Sequence, residues 1–134
     1  MPFREVRPKE VFKSDVAPFS LATRTSSASI LHISGQVPVD AEGNNVCHGD
    51  VIGQTEQIIA NIRAIVEHEG GSLADVCRLV IFLTDRRQLA PVMEVRKRHF
   101  REPYPAATGV VVAGLAHPDW LVEIEATAAL PPSR

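Results

Sequence analysis

The stretch that decides the fold is Val76–Thr84, which reads VCRLVIFLT. It is rich in β-branched and apolar residues and too short to form a helix alone, so it predicts a strand. Strict alternation would place Cys77, Leu79, Ile81 and Leu83 on one face, and Val76, Val80 and Phe82 on the other. Because both faces are apolar, we expect a central strand that is covered on both sides.

Two helical patterns flank this strand. Before it, an apolar stripe at helical spacing predicts a helix over residues 51–69, with Asp50 as its cap and Gly70-Gly71 as its exit. After it, a second helix should begin near Gln88 or Leu89, because Pro91 is tolerated only in a first turn. The predicted core positions of these helices are Ile58, Ile59, Ile62, Ile65 and Val66, then Leu89, Val92, Met93 and Phe100.

The remaining strands predict an α+β fold. A short strand is expected at Phe3–Val6, a hairpin whose arms are 20–24 and 29–34 around Thr25-Ser26-Ser27, and two late strands at Thr108–Ala113 and Trp120–Leu130. This gives a mixed sheet of about six strands. Two helices can cover only one face of it, so either barrel-like closure or a partner subunit must cover the other, and we expect a homo-oligomer.

The composition of the chain excludes several classes of function. A chain of 134 residues is expected to form a single domain, residues 1–134, and its net charge is −2. With no basic field and only 5% aromatic residues, nucleic-acid binding is not expected. The sequence shows neither a signal peptide nor an apolar run long enough to cross a membrane, so we expect no membrane partner and a cytoplasmic location. Cys77 should be a buried free thiol, although a disulfide with Cys47 stays open.

No catalytic motif stands out, so single residues carry the candidate chemistry. The five histidines are scattered without ligand spacing. Arg78 interrupts an apolar strand and is either a carboxylate clamp or the partner of Glu123 or Glu125. The Arg96-Lys97-Arg98 run is expected to form a solvated helix face. Glu123 and Glu125 share one strand face, which is either an ordinary solvent-facing edge or a buried site with a general acid or a water-orienting group.

The chain resembles the reactive-intermediate deaminase A family, RidA or YjgF. The resemblance runs in register from about residue 15 to 130 and rests on short segments of the family pattern. They are Ala17-Pro18-Phe19, Ser34-Gly35-Gln36-Val37-Pro38, Gln54-Thr55, Asn61-Ile62, Val80–Asp85 (VIFLTD) and Leu121–Ala126 (LVEIEA). The family fold is a chorismate-mutase-like α+β sandwich, and it assembles as a homotrimer with clefts between subunits.

The resemblance implies a reaction and a site. Active members hydrolyse enamines and imines to a 2-oxo acid and ammonia without a cofactor or a metal. Carried over, Glu123 would handle water, Ser34 and Gly35 would complete an anion site, and Phe19 would form the aromatic wall. An arginine that grips the substrate carboxylate in two places completes the family site.

This chain departs from the family at that arginine. The family reads Pro-Ala-Arg-Ser/Thr where this chain has Pro105-Ala106-Ala107-Thr108, so Ala107 stands at the arginine position. Gly109 replaces the usual Thr or Cys, and Phe19 lacks the hydroxyl of the usual Tyr. The segment Ala107, Thr108 and Gly109 should therefore line a less charged pocket.

Two functions stay open on the sequence. One is a RidA-like hydrolase with an altered substrate, in which Arg96, Arg98, Arg101 or His117 replaces the lost clamp if the substrate is anionic. The other is a non-catalytic ligand-binding or regulatory trimer of the same fold. RNA cleavage ranks below both because the chain has no basic-aromatic stripe.

Overall fold

The computed structural model describes residues 2–26 and 29–131, and its element order matches an α+β fold. Two short 3₁₀ turns lie at Leu73–Asp75 and Arg86–Gln88. The helices and strands are β1 (Phe3–Val6), β2 (Ala22–Thr25), β3 (Ser29–Gln36), α1 (Val51–His68), β4 (Val76–Leu83), α2 (Leu89–His99), β5 (Ala106–Val111) and β6 (Val122–Leu130).

The six strands are divided between two sheets. A four-stranded sheet has the order β3-β6-β4-β5, and β1 pairs with β2 in a separate antiparallel ribbon. In the larger sheet β4 runs antiparallel to β6 and parallel to β5. The prediction that 76–84 forms a central strand is confirmed, since β4 lies between two neighbours. The edges of this sheet are β3 and β5.

Both helices pack on one face of this sheet and form the main core. Ile59, Leu79 and Ile124 are each at most 2% exposed within it. Helix α1 begins as expected, because Asp50 Oδ1 accepts a hydrogen bond from Gly53 N at 3.0 Å. It ends as expected too, with Gly70 in the left-handed region at φ +85°.

The predicted hairpin between 20–24 and 29–34 is wrong. Strand β2 pairs with β1, while β3 pairs with β6. Ser27, in the predicted turn, lies outside the described residues. The reason is burial: β3 turns Leu31 and Ile33 toward the core beside Ala126 and Ala128, whereas β2 reads Ala-Thr-Arg-Thr and has no apolar face to bury.

The predicted face of Cys77 is also wrong. Val76 pairs with Ala128 and Arg78 pairs with Thr127, so Cys77 is the extra residue of a β-bulge. The bulge sends Val76 into the main core and Cys77 to the opposite side, where it packs with Phe3 and Ala129. Burial raises the pKa of the Cys77 thiol. Both cysteines are free.

Helix α2 buries Val92 and Phe100 as predicted, but differs from the prediction at Leu89 and Arg96. Leu89 is 42% exposed, whereas Arg96 is only 5% exposed. The expectation of a solvated Arg96 is therefore wrong, although Lys97 and Arg98 are exposed. Arg96 lies three residues beyond Met93 and four before Phe100, which places it on the buried stripe of the helix.

The second face of the four-stranded sheet is left open by the described chain. The β1–β2 ribbon packs only on its end, around Cys77 and Ala129. Ile30 and Val110 on this face are 43% and 39% exposed, and Phe82 is partly exposed. We call this surface the open face. Among the described residues, no helix is long and apolar enough to cross a membrane.

Candidate functional site

Glu123 lies on the open face, directly against the backbone of Gly35. Strand β6 places Glu123 opposite Phe82 on β4, and a register shift in β3 between Ile33 and Gln36 brings Gly35 toward it. A Cβ on residue 35 would collide with Glu123 Oε2 and lie 2.9 Å from Cδ. Glycine at position 35 lets the carboxyl group of Glu123 occupy the space that a side chain would fill.

The carboxyl group of Glu123 is unpaired within the described residues. It takes part in none of their side-chain hydrogen bonds or ion pairs, and neither does Glu125. Arg78 is exposed and forms no ion pair with either glutamate, so that alternative for Arg78 is not realised in the single chain. A partly buried, unpaired carboxylate beside an accessible backbone can orient a water molecule or accept its proton.

Ser34 and His32 accompany Glu123 on the open face. Both are exposed, and His32 pairs across the ladder with Thr127. The Ser34 carbonyl accepts a hydrogen bond from Gln36 Nε2 at 3.0 Å. An open depression of about 720 Å³ adjoins Gly35, between residues 35–41 and helix α1.

Gln54 fixes the segment that leads into β6, a role that we had not expected. Its side chain is 1% exposed, and its Nε2 donates to the carbonyl oxygens of Cys47 (3.1 Å) and Asp119 (2.9 Å). Its Oε1 accepts from Leu121 N at 2.8 Å. Three satisfied bonds hold the chain two residues before Glu123, so Gln54 is a positioning residue. The burial of Gln54 could have been inferred from the sequence, because Gln54 lies one helical turn before Ile58 on the buried face of α1.

The start of β5 carries the other candidate residues. Ala107 pairs with the buried Leu79 and faces the helices. Gly109 faces the same way, since Leu89 Cδ1 lies 3.6 Å from where its Cβ would be. Thr108 points to the open face and is exposed. Alternation along β5 therefore separates Thr108 from its two neighbours.

Phe19 lies beside this strand on the free edge of the sheet. Ser20 N donates to Pro105 O at 3.1 Å, the Ser20 hydroxyl donates to Tyr104 O, and Ser20 forms an isolated bridge with Ala106. Phe19 is partly buried, and Lys13 Nζ lies 5.1 Å from its ring centroid, a cation–π contact.

Arg96 reaches the same place from helix α2. Its Nη2 donates to Pro18 O at 3.4 Å, and its Nε is buried without a hydrogen-bond partner. Burial lowers the pKa of Arg96 to about 10, although the group stays cationic at neutral pH. An arginine with an unsatisfied buried donor is costly, so its presence needs a reason.

The structure thus forms two separate clusters within one chain. Glu123 and Gly35 lie on the open face of β6 and β3. Ala107 and Arg96 lie on the helix side at the opposite edge, with β4 between the two clusters. The described residues contain no group of three His, Cys, Asp or Glu side chains that could hold a metal ion.

Known proteins resemble this chain along almost its whole length. The family model described as Endoribonuclease L-PSP matches residues 12–130. A RutC family protein of Pyrococcus abyssi is 36% identical over 126 residues, which is 94% of this chain and 93% of that one. The 3-aminoacrylate deaminase RutC of Acinetobacter baylyi is 38% identical over 125 residues, covering 90% and 98% respectively.

Structural comparison also finds a solved protein with the same fold. A Rid family protein of unknown function from Yersinia pestis, YyfB, superposes with a TM-score of 0.89 at 33% identity, covering 97% of this chain and 100% of that one. The chain belongs to the RidA/YjgF family, whose fold is chorismate-mutase-like.

Proposed function

We propose that this protein is a hydrolase of the enamine and imine deaminase type that works without a cofactor. Relatives at this level of identity include one named as a 3-aminoacrylate deaminase. The observation that carries the proposal is the carboxyl group of Glu123 held against Gly35 with no partner within the described residues. A carboxylate kept unpaired on an otherwise ordered strand is available to a reactant.

In this reaction Glu123 takes a proton from one water molecule and later gives it to the substrate nitrogen. An enamine substrate first takes a proton on carbon and becomes the iminium ion. Glu123 then accepts a proton from water as the water oxygen adds to the iminium carbon, giving a neutral carbinolamine. The same carboxyl group gives that proton to nitrogen, and ammonia leaves as the hydroxyl loses its proton and becomes the carbonyl. Such general acid–base catalysis contributes about 10²–10⁴-fold to the rate.

The site is completed between subunits of a homotrimer. The sheet has two free edges, β3 with Glu123 on the neighbouring strand and β5 with Ala107. Apposing β3 of one chain and β5 of the next would bring the two clusters to one cleft and would bury the open face. The partly exposed Phe82, Ile30 and Val110 on that face favour this assembly.

The groups that bind the substrate differ from the family pattern, which has a strand arginine at position 107. Ala107 has no donor, and Gly109 and Phe19 lack the hydroxyl or thiol groups of the family pattern. The chain therefore has to recognise its substrate with other groups.

The test is ammonia release from 2-iminopropionate, 2-iminobutyrate and 3-aminoacrylate, each generated in place. Glu123→Gln should lower turnover by about 100-fold or more, because the amide cannot accept the proton of water. The matched control is Glu125→Gln, two residues along the same strand face, which does not touch Gly35 and should leave turnover near that of the parent.

Equal activity of Glu123→Gln and the parent would remove Glu123 from the mechanism. No ammonia release by the parent from any of the three compounds would overturn the hydrolase proposal and favour the non-catalytic ligand-binding trimer.

A further inference from the structure

We propose that Arg96 of helix α2 is the anion-binding residue of this site, which takes a substrate with a carboxylate although position 107 is alanine. In this proposal the carboxylate is bound from helix α2, which packs over β5, and not from position 107 on the strand. This inference rests on the proposed function for its substrate class, but binding of a carboxylate can be measured without turnover.

Helix geometry brings Arg96 level with Ala107. Helix α2 connects the parallel strands β4 and β5, so it runs antiparallel to β5. Leu89, at its start, lies over Gly109. Arg96 is seven residues further along the helix, about 10 Å. Three residues of strand also span about 10 Å, so Arg96 lies over Ala106 and Ala107.

The contact with Pro18 shows where the guanidinium points. Pro18 precedes the segment that bridges to Ala106 through Ser20. Arg96 therefore reaches the free edge of β5, beside Phe19. An arginine side chain at position 107 would face the same helix layer, and alanine occupies less of that layer.

The guanidinium of Arg96 makes fewer hydrogen bonds than it has donors. A single hydrogen bond, to Pro18 O, is all that it makes with the described residues, and Nε is enclosed without an acceptor. Arg96 takes part in none of the ion pairs that those residues form. Arg98, two residues later on a different side of the helix, pairs with Glu56 at 3.2 Å. A planar fork of free donors is suited to a carboxylate.

A second cation lies near the same backbone. Lys13 Nζ donates to Ala17 O at 3.3 Å, next to the carbonyl that Arg96 contacts. Lys13 also has no carboxylate partner among the described ion pairs. Two cations without a carboxylate partner among the described ion pairs therefore lie on adjacent carbonyls at this edge.

Isothermal titration with 2-oxobutyrate, a 2-oxo acid of the expected product class, tests the proposal. We expect Arg96→Met to weaken binding by about 10- to 100-fold, because a charge-assisted bond is lost. The matched control Arg98→Met removes the same charge from the solvated side of the helix and should keep the affinity of the parent. The uncharged 2-oxobutanamide should bind the parent and Arg96→Met alike.

Thermal unfolding of the same variants separates binding from structure. Removing an unpaired buried charge should leave the melting temperature of Arg96→Met equal to that of the parent or higher. Unchanged affinity for 2-oxobutyrate in Arg96→Met would overturn the proposal. Loss of the fold in both Arg96→Met and Arg96→Gln would also overturn it, since the role would then be structural.

Failure of the proposed hydrolysis gives a different pattern. A parent that releases no ammonia but binds 2-oxobutyrate through Arg96 would retain the anion site and lose only the reaction.

Discussion

The two faces of the four-stranded sheet differ in how completely one chain satisfies them. The helix side is closed, with Ile81 and Ile124 each 1% exposed. The open face carries Glu123, Glu125 and Arg78, for which the described residues supply no ion-pair partner, beside partly exposed apolar side chains.

This difference distinguishes residues that stabilise the fold from residues that are available for function. Residues on the helix side are explained by burial within one chain. Residues on the open face are not, and the proposed assembly would account for them. Arg96 is the exception on the helix side, because it is buried without the partner that burial of a charge requires. Three experiments sharpen the comparison.

Complementation between two impaired variants tests the comparison most directly. If Glu123 of one subunit and Arg96 of the next share a cleft, a mixed trimer of Glu123→Gln and Arg96→Met contains intact sites. Co-refolding the two variants in equal amounts should restore about a quarter of the parent turnover, because a quarter of the heterologous interfaces unite an intact Arg96 with an intact Glu123.

The measurement is ammonia release by the mixture against each variant refolded alone. A mixture no more active than its components would contradict a site that Glu123 and Arg96 of different subunits share.

Gly35→Ala should act on the open face without disturbing the core. The new Cβ displaces the carboxyl end of Glu123, a flexible group, so the melting temperature should change little. Turnover should fall by about 100-fold, since a misplaced catalytic group costs about this much. Gly114→Ala is the control, because a Cβ there meets nothing within 4 Å. Unaltered kinetics in Gly35→Ala would disconnect Gly35 from the reaction.

Paired truncations in β4 should show the smallest difference. Ile81→Ala on the helix side should lower the free energy of unfolding by about 3 kcal/mol, because it leaves a cavity in a closed core. Val80→Ala, one residue earlier on the partly exposed face, should cost about 1 kcal/mol. Urea unfolding measures both. Equal losses would mean that a partner buries the open face as tightly as the helices bury the other.

Much of the fold could be predicted from local patterns. Strand β4, helix α1 with its Asp50 cap and the alternation of Val122, Ile124, Ala126, Ala128 and Leu130 followed from periodicity. Strand pairing could not. The hairpin was mispredicted because turn residues between two strands do not reveal that β3 has an apolar face complementary to β6. The bulge at Cys77 likewise depends on register with a strand far away in sequence.

The candidate site was predictable as a set of residue types more than as an arrangement. Glu123 and Gly35 followed from the resemblance, and the structure places them in contact. Thr108 was grouped with Ala107 and Gly109, but strand alternation turns it away. Arg96 was assigned to a solvated face because it stands in a run of cations, although its spacing from Met93 and Phe100 already placed it on the buried stripe.

The sequence by itself determined the family, the α+β class and the main helices, since these depend on local composition and spacing. Only the tertiary structure decided that Gly35 makes room for Glu123 and that Arg96 reaches the carbonyl of Pro18. Both are close approaches between elements distant in the chain, and such contacts are set by register and packing, which no local pattern encodes.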